Sequence, residues 1–306
     1  MSSAFAPTRP QGDQASRLRE LVTALRAPDE PRRGATPNGP TPDRAIPMLA
    51  ITSGKGGVGK TSLAVNLSIA LTARGRRVGL IDADPGTANA DVLLGIAPNR
   101  RLDRLREGDA LDQLAVEAPG GIMLVPGIVG AIGVAASSPI VRSKLLAALG
   151  QLNERCDVLI VDTGAGIGSA VTEFVRAADH TILVATPEPT SVIDAYALLK
   201  VVQRRRNKHE TADQADREVA CSVVVNQVHS RAEADAVGGR LAAAAERFLG
   251  SSVGTLGSIP WDSAVTKAVK AGVPLMIGSP RRSAAKAIRG IADVVMLGVL
   301  NAHESA

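Results

Sequence analysis

Aromatic residues and cysteines are both scarce in this chain. Only 2% of its 306 residues are aromatic, which argues against a surface that binds single-stranded nucleic acid by stacking bases on aromatic rings. The two cysteines, Cys156 and Cys221, lie far apart and in no metal-binding spacing, so neither a disulfide framework nor a zinc site is indicated. The four histidines likewise show no ligand spacing. This usage is typical of the reducing cytoplasm, where we expect the protein to act.

A convincing membrane-spanning segment is also lacking. Residues 118–141 carry no charge and are long enough to cross a bilayer, but glycines and prolines interrupt them repeatedly. We therefore interpret 122–125 as a buried strand and most of the remainder as an apolar loop. The N-terminus has no charged start followed by an apolar run, so we expect no signal peptide.

Size, charge and proline content suggest one large domain with an appended arm. The chain is 45% hydrophobic with a net charge of +5, which permits acidic partners such as nucleotides, nucleic acid or anionic lipid without selecting among them. Prolines crowd residues 1–46, which we interpret as a flexible arm ahead of a domain at 47–306. Within the arm, an apolar stripe at 13–27 predicts a short helix that either docks on its own domain or is offered to a partner.

Beyond the arm, apolar runs alternate with longer helical patterns. Such runs of Val, Ile and Leu separated by helices predict an α/β fold of three layers, with a mostly parallel sheet and helices on both faces. Ligands of such a sheet bind at the carboxyl ends of its strands. The predicted strands are MLAIT (48–52), RVGLID (77–82), IMLV (122–125), DVLIVD (157–162), HTILVAT (180–186), ACSVVVN (220–226) and SVGTLGSI (252–259). The predicted helices fall at 60–74, 141–154, 169–178, 190–205 and 231–249.

A glycine-rich segment follows the first predicted strand. Residues 54–61, GKGGVGKT, match G-x-x-x-x-G-K-[ST] between a strand and a helix. The glycines allow a tight turn whose backbone N–H groups point at one centre beside a helix N-terminus. We expect Lys60 to reach the β- and γ-phosphates and the Thr61 hydroxyl to bind Mg²⁺. The segment therefore predicts a P-loop NTPase domain.

Acidic residues follow two other predicted strands. Asp82 and Asp162 each end a strand, and Asp84 lies two residues beyond Asp82. Because the carboxyl ends of parallel strands share one edge of a sheet, we expect all three acids near the phosphate loop. Asp82 and Asp162 are predicted to hold Mg²⁺ or its water shell, and Asp84 to orient the attacking water.

The phosphate loop carries a second lysine that its phosphate-binding role does not require. Lys55 lies five positions before Lys60, and it could either add charge near the same phosphates or meet phosphate bound by a second subunit. In the second case it would stabilise the transition state only when two copies face each other.

Several stretches of the chain resemble a known class of ATPases. KGGVGKT, with Lys55, resembles the deviant Walker A motif of the MinD/ParA class, in which the first lysine reaches ATP across a dimer interface. The resemblance covers nearly all of residues 48–292. Within that class the chain is most similar to the flagellar number and placement regulators of the FlhG family, also called FleN or YlxH. The stretches similar to that family are DADPGTANADVLLGI (82–96), VDTGAGI (161–167), TPEPTSVIDAYALLK (186–200), VVVNQV (223–228) and LGSIPWD (256–262).

The resemblance implies a role for each matching residue. It implies that Lys55 acts in trans, that Asp84 orients water, and that Asp82 and Asp162 support Mg²⁺. The residues implied to hold the phosphates are Gly56, Gly57, Val58, Gly59, Lys60, Thr61 and Ser62, with Thr61 also on Mg²⁺. Asn89 belongs to the same switch as Asp84, and the residues implied to face adenine are Asn226, Pro260 and Asp262. Trp261 either covers the base or fills core.

Some segments depart from the family or are ambiguous. Pro85 and Thr87 stand where the family usually has aliphatic residues in the switch, and 127–136 is more apolar than usual. The basic and apolar segment 280–300 is interpreted either as an amphipathic helix on an anionic membrane or as the last packing helix with a solvated basic face.

The family implies a slow regulatory ATPase that forms a homodimer when ATP is bound. It further implies contact with an FlhF-type GTPase through 13–27, with a flagellar C-ring protein or transcriptional regulator, and with the inner face of the cell membrane. A ParA-like partition ATPase that binds DNA is the less favoured alternative, suggested by basic residues near Lys267 and Arg281. A cluster-carrying ATPase would need surface thiolates, whereas Cys156 precedes a buried-strand pattern and Cys221 lies inside one.

Overall fold

The computed structural model describes residues 46–84, 88–99, 114–127, 152, 155–203 and 220–300. The predicted arm, apart from its last residue, and its helix at 13–27 lie outside the described residues. So do Pro85, Thr87, nearly all of the apolar loop 127–136 and most of the predicted helix 141–154.

Eight strands form one sheet. Their bounds are β1 Met48–Ser53, β2 Val78–Ala83, β3 Val116–Ala118, β4 Ile122–Val125, β5 Val158–Ala165, β6 His180–Ala185, β7 Cys221–Val228 and β8 Gly254–Pro260. The strand order is β3-β4-β2-β5-β1-β6-β7-β8, and every neighbouring pair is parallel except β3 with β4. The predicted mostly parallel sheet is confirmed. The edge strand β3 was not predicted, because its three residues form no apolar run.

Helices cover both faces of this sheet. The described helices are α1 Lys60–Thr72, α2 Ala90–Leu93, α3 Ser169–Ala177, α4 Pro189–Gln203, α5 Arg231–Leu249, α6 Ser263–Ala271, α7 Leu275–Gly278 and α8 Ser283–Val295, followed by a π-helical turn at Met296–Leu300. Four of the predicted helices, 60–74, 169–178, 190–205 and 231–249, correspond to α1, α3, α4 and α5. Within the described ranges, no helix is both long and apolar enough to span a bilayer.

Side-chain alternation along the strands divides the core between the two faces of the sheet. Leu49 and Ile51 of β1 belong to a cluster that includes residues of α1 and α8, whereas Ala50 belongs to one that includes residues of α3, α4 and α5. This is the period of two that a strand buried on both faces requires. Both cysteines are buried, Cys156 being 1% and Cys221 7% exposed. Burial raises the pKa of the Cys221 thiol to about 12, so neither cysteine suits a surface metal cluster.

Helix α1 is fixed along its length to the C-terminal elements. The Asn66 side chain accepts a hydrogen bond from the Met276 N–H at 2.9 Å. At the other end of α1, the Arg74 guanidinium donates to the Asp293 carboxylate at 2.7 Å and to the Arg289 carbonyl at 2.8 Å. Because α1 begins at the glycine-rich loop, these bonds help to position that loop against the sheet.

Candidate functional site

The glycine-rich loop between β1 and α1 forms an open cradle. Gly57 and Gly59 adopt left-handed backbone conformations with φ of 79° and 91°, which glycine reaches without steric cost. A Cβ atom built on Gly56 or Gly57 would meet no atom within 4 Å, so space lies over the loop. Gly59 caps α1 without a side-chain hydrogen bond, which leaves the first N–H groups of the helix for an anion.

Three predicted phosphate ligands occupy the first turn of α1. Lys60 is only 7% exposed, and Thr61 and Ser62 are half-buried. Val58, just before the helix, is buried. At the other end of the loop, a Cβ on Gly54 would lie 2.1 Å from the Asp194 carbonyl group, so only glycine lets the loop pass this close to α4.

Two predicted magnesium ligands lie side by side in the sheet. Asp82 of β2 and Asp162 of β5 are register partners, with exposures of 2% and 0%. The Asp82 carboxylate accepts hydrogen bonds from the N–H groups of Ala90 at 3.0 Å and Asp84 at 3.3 Å. Among the described residues, neither Asp162 oxygen receives a hydrogen bond of normal geometry. Asp162 is thus a buried acceptor in need of a donor or a cation.

The two acids cannot both be ionised at low cost in this environment. Burial raises the pKa of Asp82 to about 7, against the opposing effect of its two backbone hydrogen bonds. Burial also raises the pKa of Asp162 well above its usual range, and the Asp82 charge adds to this effect. Thr61 and the charge of Lys60 lower the pKa of Asp162, but by less than burial raises it. A cation beside the pair would favour the ionised carboxylates.

The donor set fits a magnesium ion that arrives with a nucleotide. Across the described ranges, no group of three or more His, Cys, Asp or Glu side chains is arranged to hold a metal unaided. Mg²⁺ is usually held by one or two carboxylates together with substrate phosphates and water. The buried pair and the neighbouring Thr61 hydroxyl provide such a partial set.

The remaining switch residues follow β2. Asp84 is half-buried directly after the strand, and Asn89 is exposed at the N-cap of α2 without a side-chain capping bond. Gly127, at the end of β4, packs against this turn. A Cβ there would lie 2.6 Å from the Asp82 carbonyl oxygen and 2.8 Å from the Ala88 methyl group, so Gly127 has to be small for the switch to keep its position.

Lys55 lies at the surface and is paired within its own chain. Its ammonium group donates to the Glu188 carboxylate and, at 2.9 Å, to the Thr190 hydroxyl. The Lys55 and Glu188 side chains are 38% and 64% exposed, and such pairs contribute roughly 0–1 kcal/mol. Lys55 can therefore exchange Glu188 for another partner at little cost in free energy.

A cavity of 210 Å³ lies between the start of α1 and the ends of β7 and β8. The residues that were predicted at the nucleotide and that line it are Gly59, Ser62, Asn226, Pro260 and Asp262. The Asn226 amide donates to the Val58 carbonyl at 2.7 Å, so the end of β7 contacts the phosphate loop directly.

Asp262 has a structural role that the sequence did not reveal. Its buried carboxylate accepts from the Ala264 N–H at 2.9 Å, the Arg282 guanidinium at 2.6 Å and the Ser283 hydroxyl at 2.9 Å. The Arg282 hydrogen bond holds the pKa of this carboxyl well below its usual range. The side chain therefore fastens the N-termini of α6 and α8 together, and Pro260 and Trp261 present the rest of the loop to the cavity.

This fold and this site define a nucleotide-binding protein of the P-loop type. The chain belongs to the CobQ/CobB/MinD/ParA nucleotide-binding domain family, whose family model matches residues 49–275. It is an ATPase of the MinD/ParA class, as the sequence predicted.

Individual relatives confirm the predicted resemblance. The chain is 39% identical over 251 residues to the antiactivator FleN of Pseudomonas aeruginosa, covering 82% of this chain and 86% of that protein. It is 38% identical over 165 residues to the flagellum site-determining protein YlxH of Helicobacter pylori, covering 53% and 55%. The septum site-determining protein MinD of Pyrococcus horikoshii, complexed with Mg-ADP, shares the fold with a TM-score of 0.67 at 24% identity, covering 84% of this chain and 99% of that one.

Glu188 and Gly127 are contacts of the site that sequence reasoning missed. Glu188 follows β6 at the same edge of the sheet as the phosphate loop, and that position is the signal that could have identified it. Gly127 carried no such signal, because its neighbours become apparent only when β4 is placed beside β2.

We predict that Asp162→Asn stabilises the nucleotide-free protein by about 1–3 kcal/mol at pH 8, because it removes a buried acid whose oxygens are unsatisfied and whose ionisation is disfavoured by folding. When folding raises the pKa of an acid, the protein becomes less stable as the pH rises from the pKa of the unfolded state, about 4, towards the pKa of the folded state. The gain should therefore vanish below about pH 4. Unfolding by denaturant over a pH series, without nucleotide or Mg²⁺, measures it.

The control for this prediction is Asp157→Asn at the opposite end of β5. The Arg77 guanidinium lowers the Asp157 pKa, so the ionised form stabilises the fold and its loss should destabilise the protein at pH 8. Equal or lower stability of Asp162→Asn at pH 8 would contradict the description of Asp162 as a buried acid with unsatisfied oxygens.

Proposed function

We propose that this protein is a regulatory ATPase that forms dimers with ATP and controls the number or placement of flagella. The flagellar part rests on similarity to FleN over most of both chains and to the flagellum site-determining protein YlxH. The observation that carries the mechanism is the position of Lys55. It lies on the rim of the phosphate cradle and is held by an exposed ion pair with Glu188 and a hydrogen bond to the Thr190 hydroxyl.

ATP and Mg²⁺ are the proposed cofactors. The backbone of Gly56, Gly57, Val58 and Gly59 would surround the phosphates, together with the side chains of Lys60, Thr61 and Ser62. Thr61, Asp82 and Asp162 would hold Mg²⁺, which would add positive charge beside the phosphate oxygens. The unsatisfied oxygens of Asp162 support this assignment.

Hydrolysis to ADP and phosphate needs a positioned water and charge stabilisation. Asp84 is placed at the end of β2, where its carboxylate can orient water, and Asn89 lies in the same switch at the start of α2. Lys60 supplies positive charge from its own subunit. Lys55 would supply it from the other subunit, so turnover requires two copies face to face.

The surface around Lys55 has the character of an interface. Ile193, one turn beyond Thr190 on α4, is 65% exposed, and Ile167 is 53% exposed. Ile167 adjoins Gly166, whose N–H bonds to the Ser53 carbonyl at 2.8 Å beside the phosphate loop. Exposed apolar side chains around a weakly held cation are suited to burial against a second copy.

We predict that Asp84→Ala binds ATP and accumulates as a dimer, because the water is no longer oriented while the phosphate contacts remain. Lys60→Ala should lose nucleotide and stay monomeric. Size-exclusion chromatography in Mg-ATP, with nucleotide content measured in each peak, distinguishes the two. An Asp84→Ala protein that holds ATP as a monomer would contradict the proposal.

The role of Lys55 across the dimer gives a separate prediction. Lys55→Ala should bind ADP within about twofold of the unsubstituted protein, because one subunit's own contacts hold ADP, yet it should neither dimerise with ATP nor hydrolyse it. Lys267→Ala removes an exposed lysine on α6 and serves as the control. If Lys55→Ala formed normal dimers with ATP, the proposed role of Lys55 across the dimer interface would be contradicted.

Partner contacts follow from the proposed flagellar function. We expect residues 1–27 to bind an FlhF-type GTPase, and further contacts with a flagellar C-ring protein or transcriptional regulator. Peripheral membrane contact through 280–300 stays a prediction; Leu297 in this segment is 72% exposed, whereas Arg282 is held by Asp262.

We predict that a variant lacking residues 1–27 no longer captures an FlhF-type GTPase in a pull-down, while its ATP binding is unchanged. Leu18→Asp should act in the same way, because it places a charge in the apolar stripe, and Thr23→Ala, outside the stripe, is the control. Capture by the shortened protein at full level would contradict the assignment of 13–27.

DNA partition is the alternative function, and the structure adds little support for it. Lys267 and Lys270 of α6 are exposed, but the neighbouring Arg282 is committed to Asp262. ATP-dependent DNA binding that weakens steeply with salt would favour this alternative.

A further inference from the structure

Four exposed aliphatic side chains lie on α2, α6, α7 and the connection between α6 and α7. Val92 of α2 is 58% exposed, Val269 of α6 is 42%, Val273 after α6 is 38% and Ile277 of α7 is 43%. None of the four belongs to the hydrophobic clusters formed by the described residues. Packing within the described part of the domain therefore does not account for them. Together they are termed the α2–α6–α7 surface.

Close backbone contacts bring these residues next to one another. A Cβ atom on Gly272, directly after α6, would lie 3.2 Å from the Val92 carbonyl oxygen, so the end of α6 lies against α2. The Gly272 N–H donates to the Val269 carbonyl at 3.2 Å. A Cβ on Gly278, at the end of α7, would lie 3.1 Å from a methyl carbon of Val273. The exposed residues of the three helices thus form one continuous apolar area.

The backbone beneath this surface is fixed to the core. Leu94, directly after α2, is 2% exposed, and Leu275, the first residue of α7, is 1% exposed. The Met276 N–H of α7 donates to the Asn66 side chain of α1 at 2.9 Å. Because the buried neighbours hold the backbone, a partner would not have to order these elements before it binds, which lowers the free-energy cost of binding.

The chain around this surface is positively charged. Residues 263–292 contain six basic residues and no acidic residue. Lys270 directly follows Val269, and both Lys270 and Arg281 are exposed. The one acid of α2, Asp91, is only 3% exposed. An apolar area with a basic rim is electrostatically complementary to an acidic partner.

We propose that the α2–α6–α7 surface docks an acidic amphipathic helix of a partner protein. Apolar side chains of that helix, spaced three or four residues apart, cover the exposed valines and isoleucine, and its Asp and Glu side chains face Lys270 and Arg281. None of the four apolar residues takes part in the proposed nucleotide site or in the surface around Lys55, so this inference goes beyond the proposed function.

Nucleic acid and anionic membranes are also attracted by positive charge, but they fit the apolar residues less well. Phosphate contacts would leave the four aliphatic side chains without a partner. Segments that lie on membranes use Trp, Phe and Leu as their apolar residues, and the four here are three valines and one isoleucine. A protein segment satisfies both the apolar residues and the cations.

Fluorescence anisotropy on the full-length protein without nucleotide tests this proposal with two synthetic peptides. Both are labelled helices with the same stripe of leucines, and their other positions are glutamate in one and lysine in the other. The glutamate peptide should bind at least about tenfold more tightly than the lysine peptide, because like charges oppose the latter. Val269→Ser should weaken binding of the glutamate peptide about five- to thirtyfold, as expected for the loss of an apolar anchor.

The charge contribution is measured separately. Lys270→Glu should weaken binding of the glutamate peptide about threefold or more at low salt, and this loss should shrink as NaCl is added. The loss caused by Val269→Ser should persist at high salt, because apolar burial is not screened. Thermal unfolding of each variant shows that the fold is kept.

Val294→Ser is the matched control, because Val294 is 43% exposed on α8, outside this surface. It should bind the glutamate peptide normally. Equal affinity for the two peptides, no binding of the glutamate peptide, or equal effects of Val269→Ser and Val294→Ser would overturn the proposal.

A DNA duplex of mixed sequence and vesicles of phosphatidylglycerol with phosphatidylethanolamine are the competing probes. If either bound more tightly than the glutamate peptide and lost affinity on Lys270→Glu, the surface would be a nucleic-acid or membrane site and the proposal would be wrong. Because these measurements involve neither ATP nor dimers, their outcome does not affect the proposed ATPase function.

Discussion

Parallel pairing of seven strands is the constraint on which the site depends. It places the carboxyl ends of β1, β2, β5, β6, β7 and β8 along one edge, although they are separated by up to two hundred residues of chain. The phosphate loop, the acid pair, Glu188, Asn226 and the loop after β8 all emerge there. Each of these strands therefore contributes one part of the site.

The acid pair shows why this edge favours a bound cation. Asp82 receives two backbone hydrogen bonds and Asp162 receives none of normal geometry, so the two carboxylates differ in how well the fold alone satisfies them. Lys60 and Thr61 offset only part of the burial cost. In the nucleotide-free protein, ionisation of these two carboxyl groups is thus disfavoured, and a bound magnesium nucleotide would stabilise their ionised forms.

The sequence predicted the parts of the site that are local in the chain. GKGGVGKT needed only its flanking strand and helix, and Asp82 and Asp162 each followed an apolar run that ended clearly. The position of Glu188 after a predicted strand could have placed it at this edge. Its pairing with Lys55, like that of Asp262 with Arg282, could not be predicted, because each pair joins residues on different elements through side chains with no periodic signal. For the same reason the stacking of the Trp261 ring on the His229 ring, with centroids 6.1 Å apart, could not be predicted without knowing that β7 and β8 are neighbours.

Helix α8 links two ends of the site that are otherwise separate. Arg282 and Ser283, at its start, bind the Asp262 carboxylate of the loop after β8, which lines the cavity beside the phosphate loop. Asp293, near its end, binds Arg74 at the end of the phosphate helix α1. A shift of α8 must therefore either break these bonds or move the loop after β8 and α1 with it. Since a ligand can move such an element only through contacts that differ between two states, these hydrogen bonds and the core packing of α8 are the contacts that any such movement would have to change.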